Sequence, residues 1–371
     1  MDIIGLFKSE FLALPKSRDC NDFEAFLDSW FTRFLSEVDN LEGDDWLTVE
    51  LKSKHTLLQE LCYCIKNSVN SYLLGFHHQA YNHLRKVLHQ IAGPAGPISK
   101  LAPFSSMTHR LQNLYRIRLG SLSDFKRPDL FHIPFEKRHM VMPQRYSMSG
   151  LPSLYLGGSS WVCWEELSRP AFESIQISRF QASPTTVVQI LDFGWSPAMI
   201  ANYISNASEF MICGYPQADF ALAYAICWPL LASCSIRVMY PNSPFTPEYV
   251  IPQLVLQWLQ TESDIDGIRY FSTRITQYVD SPEPAANYVF PVRTKKATGY
   301  CDTLGRKFLL SRPMAWSLVD QLPIKSTPPA DGVPKWPLSL NPDVNVPYWN
   351  THFFECEAKI NSLSCGTVTE A

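Results

Sequence analysis

The sequence predicts an α+β protein, and three observations carry that expectation. Apolar side chains recur at helical spacing through the first hundred residues. After a break at 93–97, GPAGP, short β-branched and aromatic runs alternate with turn residues. Helical stretches fall among these runs without the regular strand–helix alternation of a parallel α/β sheet.

Taken in order, Asn21 is placed to cap a first long helix, with Glu24 in the reciprocal capping-box position. Phe23, Phe26, Leu27, Trp30, Phe34, Leu35 and Val38 then form one apolar stripe. A second helical region covers 47–91 with a break near Gly75, and the GPAGP stretch ends it. Residues 1–100 are therefore expected to form a helical module. Strands are expected in LYRIRLG (114–120), PSLYLGG (152–158), TTVVQILDFG (185–194), SIRVMY (235–240), DGIRYFSTR (266–274) and NYVFPVR (287–293). Helices are expected at 161–167, 196–205, 219–233 and 252–262. The stretch FALAYAICWPLLASCSI at 220–236 is of borderline length for a membrane span, and Pro229 opposes one. It predicts a buried core helix that ends or kinks near Trp228. The proline-rich stretch 324–348 is expected to be irregular, which divides the chain into 1–100, 101–323 and a C-terminal extension at 324–371.

Hydrophobic residues make up 46% and charged residues 18% of 371, enough to bury a substantial core. A formal charge of -3 argues against general attraction to nucleic acid or an anionic membrane. The N-terminus MDIIGLFKSE has an acid at position 2 and no long apolar core, so no secretory signal and a cytoplasmic location are expected. Ten cysteines include no CxxC, and Cys62 and Cys64 fall on different faces of a helix. His77, His78, His83 and His89 lack carboxylate or cysteine partners at ligand spacing, so no metal is expected.

No GxGxxG, GxxxxGKS, GxSxG or HExxH occurs, and YLGGSSWV has the glycines of a phosphate loop without its lysine. Four places remain. Arg116 and Arg118 alternate in one strand and so share a face, where their planar cations suit a pyrophosphate if that face lines a cleft. Arg145 and Tyr146 precede a turn and the strand that holds Tyr155. Glu165 and Glu166 fall in a short helix beside Trp161 and Trp164, and Ser272 ends the strand GIRYFS. Taken singly, each is what a solvated face or an ordinary turn would show.

Their order and spacing change that reading. LYR at Arg116, QRYSMSGLP at Arg145, LYLGGSS after Tyr155, CWEE, and FS at Ser272 together resemble the RES domain family, named for its arginine, glutamate and serine. The resemblance covers roughly 110–300. It places Cys163 at the family's small-residue position and Glu166, rather than Glu165, at its glutamate. The sequence departs from the family where a GGRW-like turn has become PQRY, and in the long gap between Glu166 and Ser272.

The resemblance implies an ADP-ribosyltransferase-like mixed sheet and a toxin that consumes NAD, by phosphorolysis, hydrolysis or ADP-ribosyl transfer to a protein. NAD is then a substrate, with phosphate as a potential co-substrate, and no prosthetic group is implied. Catalytic roles fall to Glu166, Arg116 and Ser272, and nucleotide contacts to Arg145, Tyr155, Tyr146 and Arg118. The implied partner is an antitoxin or regulatory protein, with a homo-oligomer also open. Two other classes stay open from the residues: a catalytically silent RES-like interaction protein, and a glycosidase pairing Glu165 or Glu166 with Asp192 or Asp266.

Overall fold

Four helices, Phe23–Asp39, Trp46–Ser53, His55–Leu73 and His77–Ile91, follow one another in the N-terminal part of the chain. They belong to a computed structural model that describes residues 1–93, 96–102, 113–120, 125–205, 211–212, 215–262, 264–275, 285–322, 337–341 and 344–370. The protein is α+β, with an N-terminal helical region and a mixed sheet, and it divides into two compact units. One unit holds residues 1–105, 143–148 and 190–265, and the other holds 106–142, 149–189 and 266–371.

The first unit is mainly helical. Asp22, not Asn21, caps Phe23–Asp39 by accepting from the Ala25 amide at 3.0 Å. Asn21 instead accepts from the Tyr240 hydroxyl, and Glu24 accepts from Asn70 rather than closing a capping box. Both residues suit a cap, so the one-residue offset is invisible to spacing. The break at Gly75 is as expected, with φ +84°, a conformation that costs a residue bearing a Cβ. The helix Gln217–Cys234 does not end near Trp228 but runs on through Pro229. Every side chain from Phe220 to Cys234 is buried, so packing on all sides offsets the one lost backbone donor. Trp228 is central to that packing, with the rings of Phe34, Trp30 and Phe11 at 4.5, 5.2 and 5.8 Å. Among the described residues no helix is long and apolar enough to cross a membrane.

SIRVMY is not a strand. Ile236 makes a single bridge to Lys16, with Arg237 donating to the Lys16 carbonyl at 2.8 Å, directly after the helix ends. TTVVQILDFG narrows to Ile190–Phe193. The irregularity expected at 324–348 is corrected where it is described: Pro337–Asn341 and Val344–Pro347 pair as an antiparallel hairpin, and the remainder lies outside the described residues.

The second unit carries the sheet. Within this unit the strands follow one another in space as Cys365–Gly366, Phe308–Ser311, Ile175–Ala182, Leu114–Leu119, Ser153–Gly157, Ala286–Pro291 and Gly267–Phe271, each antiparallel to its neighbour. The strand Ile175–Ala182, absent from the sequence reading, is central and pairs along all six residues of Leu114–Leu119. One face packs Tyr115, Ile117, Ile175 and Ile177 against the helices Ser160–Glu166 and His352–Asn361, through Trp161, Val162, Phe353 and Ile360. The opposite face carries Leu114 beside Phe180, and Leu154 beside Phe290.

Candidate active site

The seam between Leu114–Leu119 and Ser153–Gly157 is closed at one residue pair, Tyr115 opposite Gly157. To one side the strands zip over six pairs, and to the other over five. The sheet therefore opens along this seam, which has Arg116 and Arg118 on one strand and Tyr155 on the other. Gly157 is a steric requirement. A Cβ there would meet Cys163 Sγ at 2.5 Å and Val162 Cγ1 at 2.7 Å, so glycine lets the helix Ser160–Glu166 lie against the strand end. The first glycine of YLGGSS thus serves helix packing, and Ser159 caps the helix by accepting from the Val162 amide at 3.0 Å.

Arg116 is half-buried, and its Nη1, screened from solvent, has no hydrogen-bond partner among the described residues. Burial first, and then the Arg118 charge, lower its pKa to about 9, while Cys163 and Tyr155 nearby oppose the shift. It stays cationic at neutral pH. Arg118, on the same face, is better satisfied and donates to the Phe131 carbonyl at 3.0 Å. Burial lowers its pKa too, against Tyr300 and Asp129. Beside both cations lies His132, fully buried, its Nδ1 on the Ile133 carbonyl and its Nε2 accepting from the Cys301 amide, each at 2.8 Å. Desolvation, joined by the Arg116 and Arg118 charges, lowers its pKa to about 4, so the ring is neutral.

The adjacent carboxylates have different surroundings. Glu165 is buried and committed, accepting from Trp161 Nε1 at 3.0 Å and pairing with Arg169 at 2.8 Å. Glu166 has a side chain 35% exposed, accepts from Asn287 Nδ2 at 2.6 Å and pairs with Arg274 at 3.3 Å. Cys163 lies close to both Glu166 and Arg116. Burial pushes its thiol up to about 12, Glu166 adds to the rise and Arg116 opposes it. Ser272 is fully buried; its amide donates to the Ala285 carbonyl at 2.9 Å and its Oγ accepts from the Arg274 amide at 3.2 Å. The helix itself is held from below by Glu357, whose Oε1 accepts from the Ser160 amide and the Tyr348 hydroxyl at 2.6 Å and from Ser160 Oγ at 2.9 Å. Burial raises the Glu357 carboxyl to about 7, against those donors.

Arg116, Arg118, Tyr155, Glu166 and Ser272 thus fall in one unit, and Arg145 and Tyr146 in the other. In its own unit Arg145 is buried, its Nη1 donating to the carbonyls of Cys234 and Ile236 at 3.2 and 3.0 Å and its guanidinium 5.2 Å from the Tyr249 ring. Tyr146 is buried beside it, near the Cys234 side chain. The turn is fastened by Gln253 Nε2, which donates to the carbonyls of Gln144 and Ser147.

Sequence reasoning passed over Asn287, Arg274 and His132. Asn287 lies in the strand NYVFPVR and Arg274 two residues after Ser272, so both were within quoted motifs; what singles them out is their partner, Glu166, over one hundred residues away in the chain. His132 carried no pattern at all.

Among curated proteins the chain is similar to "Putative toxin YopC" of Bacillus subtilis (strain 168), at 33% identity over 318 residues, covering 82% of this chain and 70% of that protein. The chain belongs to the same family as that protein. No protein-family model and no solved structure matches it.

Proposed function

We propose, from membership of a family that includes a protein named "Putative toxin YopC", that this chain is itself a toxin acting as an NAD-consuming enzyme that breaks the nicotinamide–ribose bond. The observation that carries the reading is Arg116: a desolvated cation whose Nη1 has no hydrogen-bond partner among the described residues, at an opened strand seam and in the same unit as a solvent-accessible glutamate. A guanidinium in that condition suits a phosphate-bearing ligand, whose oxygens satisfy the donor and neutralise the charge.

The chemistry asked of the site is modest. Nicotinamide leaves as a neutral base because the electron pair of the breaking bond returns to the pyridinium nitrogen, so no general acid is required. The sugar left behind is oxocarbenium-like and needs a nearby anion and accurate placement. Glu166 supplies the carboxylate, Arg116 with Arg118 takes the pyrophosphate, Tyr155 flanks the nicotinamide ribose, and Ser272 shapes the turn beside Glu166. Attack by water yields ADP-ribose and attack by phosphate yields ADP-ribose 1-phosphate, each with nicotinamide and one proton. Arg145 and Tyr146, bonded within the helical unit, take a structural role in this scheme. A cytoplasmic antitoxin or regulatory protein is the partner such an effector needs.

The glycosidase reading loses its second carboxylate. Asp192 accepts from the Gly194 amide and Trp195 Nε1, and Asp266 is paired with Lys307 at 2.6 Å and with the Gln189 amide. Purified protein incubated with NAD, with and without phosphate, tests the proposal. Glu166→Gln is expected to lower NAD loss by at least ~10²-fold while its melting temperature stays that of the wild type. Full turnover by that variant removes Glu166 from the reaction. Labelled protein instead of free ADP-ribose indicates transfer, and no NAD loss by the wild type favours an interaction protein.

A further inference from the structure

We propose that Arg274 is the positioning residue of this site, holding the Glu166 carboxylate in place through a guanidinium that grips two points of one turn. The inference rests on the reading of Glu166 as the working carboxylate.

Glu166 is the last residue of the helix Ser160–Glu166, where the unsatisfied carbonyls of the helix end repel an anion. Both adjacent glutamates meet this problem, and each has its own arginine. Arg169 pairs with Glu165 and lies 5.6 Å from the Trp164 ring, so that pair is part of the helix's packing. Arg274 comes from a distant segment. Its Nε meets Glu166 Oε2 at 3.3 Å, and its Nη1 donates to Ser168 Oγ at 2.9 Å. Ser168 and Arg169 have φ of 63° and 58°, a left-handed conformation that non-glycine residues adopt at a cost. The turn is closed by its own backbone, with the Ser168 amide on the Glu165 carbonyl and the Arg169 amide on the Trp164 carbonyl, each at 3.0 Å, and the second bond of Arg274 ties that turn to a distant segment. Asn287 fixes the other oxygen of the carboxylate from the neighbouring strand. Ser272 then gains a defined task, because its Oγ accepts from the Arg274 amide and so sets the backbone from which the guanidinium reaches.

Stability alone does not explain the arrangement. Arg274 is 50% exposed, and an ion pair that open to solvent adds little to folding. What it provides is direction. A planar fork can hold Glu166 and Ser168 together, which the single point charge of a lysine cannot.

The test uses the full chain and NAD. Arg274→Gln is expected to lower kcat about 10- to 100-fold with KM for NAD within about threefold, because positioning acts on the transition state more than on binding. Arg274→Lys should recover part of that loss, and Ser168→Ala should lower kcat in the same direction while leaving Glu166 and Arg274 intact. The double variant Glu166→Gln with Arg274→Gln should be no slower than Glu166→Gln alone, since both changes remove one device. Wild-type kcat in Arg274→Gln, or additive losses in the double variant, overturns the proposal. A readout independent of turnover is the Arg274 Nε–H resonance in a side-chain NMR spectrum, expected to move in Glu166→Gln; an unmoved resonance also overturns it. Wild-type protein that leaves NAD intact sinks the reading of the site, and the resonance then decides the Arg274–Glu166 coupling by itself.

Discussion

Arg116 and Arg145 stand in different units of the chain, both next to a tyrosine and both part of the same sequence resemblance, yet their surroundings are opposite in kind. Arg145 spends one nitrogen on two backbone carbonyls and rests against an aromatic ring, so its charge is already used to tie the turn 143–148 to the segment after a helix end. Arg116 has lost much of its hydration and keeps Nη1 without a partner among the described residues. A buried cation whose donors are met contributes to the fold; one whose donor is left open lowers stability and waits for an anion. Residue type and neighbouring motif did not separate these two cases, and only the disposition of donors does.

Substitution sharpens the contrast. Arg116→Met is expected to lower NAD loss by ~10²-fold or more while the protein melts at or above the wild-type temperature, because a desolvated, incompletely paired charge is removed. Loss of both activity and stability would show that Arg116 is a structural cation like Arg145. Arg145→Met should do the reverse, costing about 2–4 kcal/mol in denaturant unfolding because two carbonyls lose a charged donor. A stable Arg145→Met protein with raised KM for NAD would return Arg145 to the nucleotide.

A pH titration separates the two regions by another route. The folded pKa of His132 lies near 4, below its unfolded value of ~6.5, so the unfolded chain binds the proton more readily. The neutral ring's contribution is therefore fully present above pH ~6.5 and is lost as pH falls through about 4, by at most ~3 kcal/mol. Protonation would add a third cation beside Arg116 and Arg118 and set two donors, Nε2–H and the Cys301 amide, against each other. His132→Asn should flatten that part of the stability profile, and an unchanged profile would show that the histidine titrates freely. The smallest effect is steric. Gly157→Ala should cost about 1–3 kcal/mol, because the added methyl group collides with Cys163 and Val162 where the helix meets the strand.

Much of the architecture could be read from local pattern. The helical N-terminal region, the break at Gly75, and the strands around Arg116 and Tyr155 follow from periodicity and from a glycine's freedom to take positive φ, both properties of a few neighbouring residues. Where the reading failed, a distant element decided. Ile175–Ala182 alternates Ile, Gln, Ile, Ser before the phase slips at Arg179; the signal was present and brief, and the strand is fixed by pairing with Leu114–Leu119. SIRVMY has strand composition, but among the described residues it forms one bridge, to Lys16, and no ladder. Pro229 should end a helix by local rules, and burial on every side keeps it helical.

The candidate site divides along the same line. Residue types and their order pointed to Arg116, Tyr155, Glu166 and Ser272, because an arginine, a carboxylate and a serine in that succession leave a trace in one dimension. Which of two adjacent glutamates faces solvent depends on all that packs around each, and Arg274 and Asn287 close on Glu166 from more than one hundred residues away. Hydrogen-bond satisfaction and desolvation are properties of all the atoms around a group, and chain folding alone brings those atoms together.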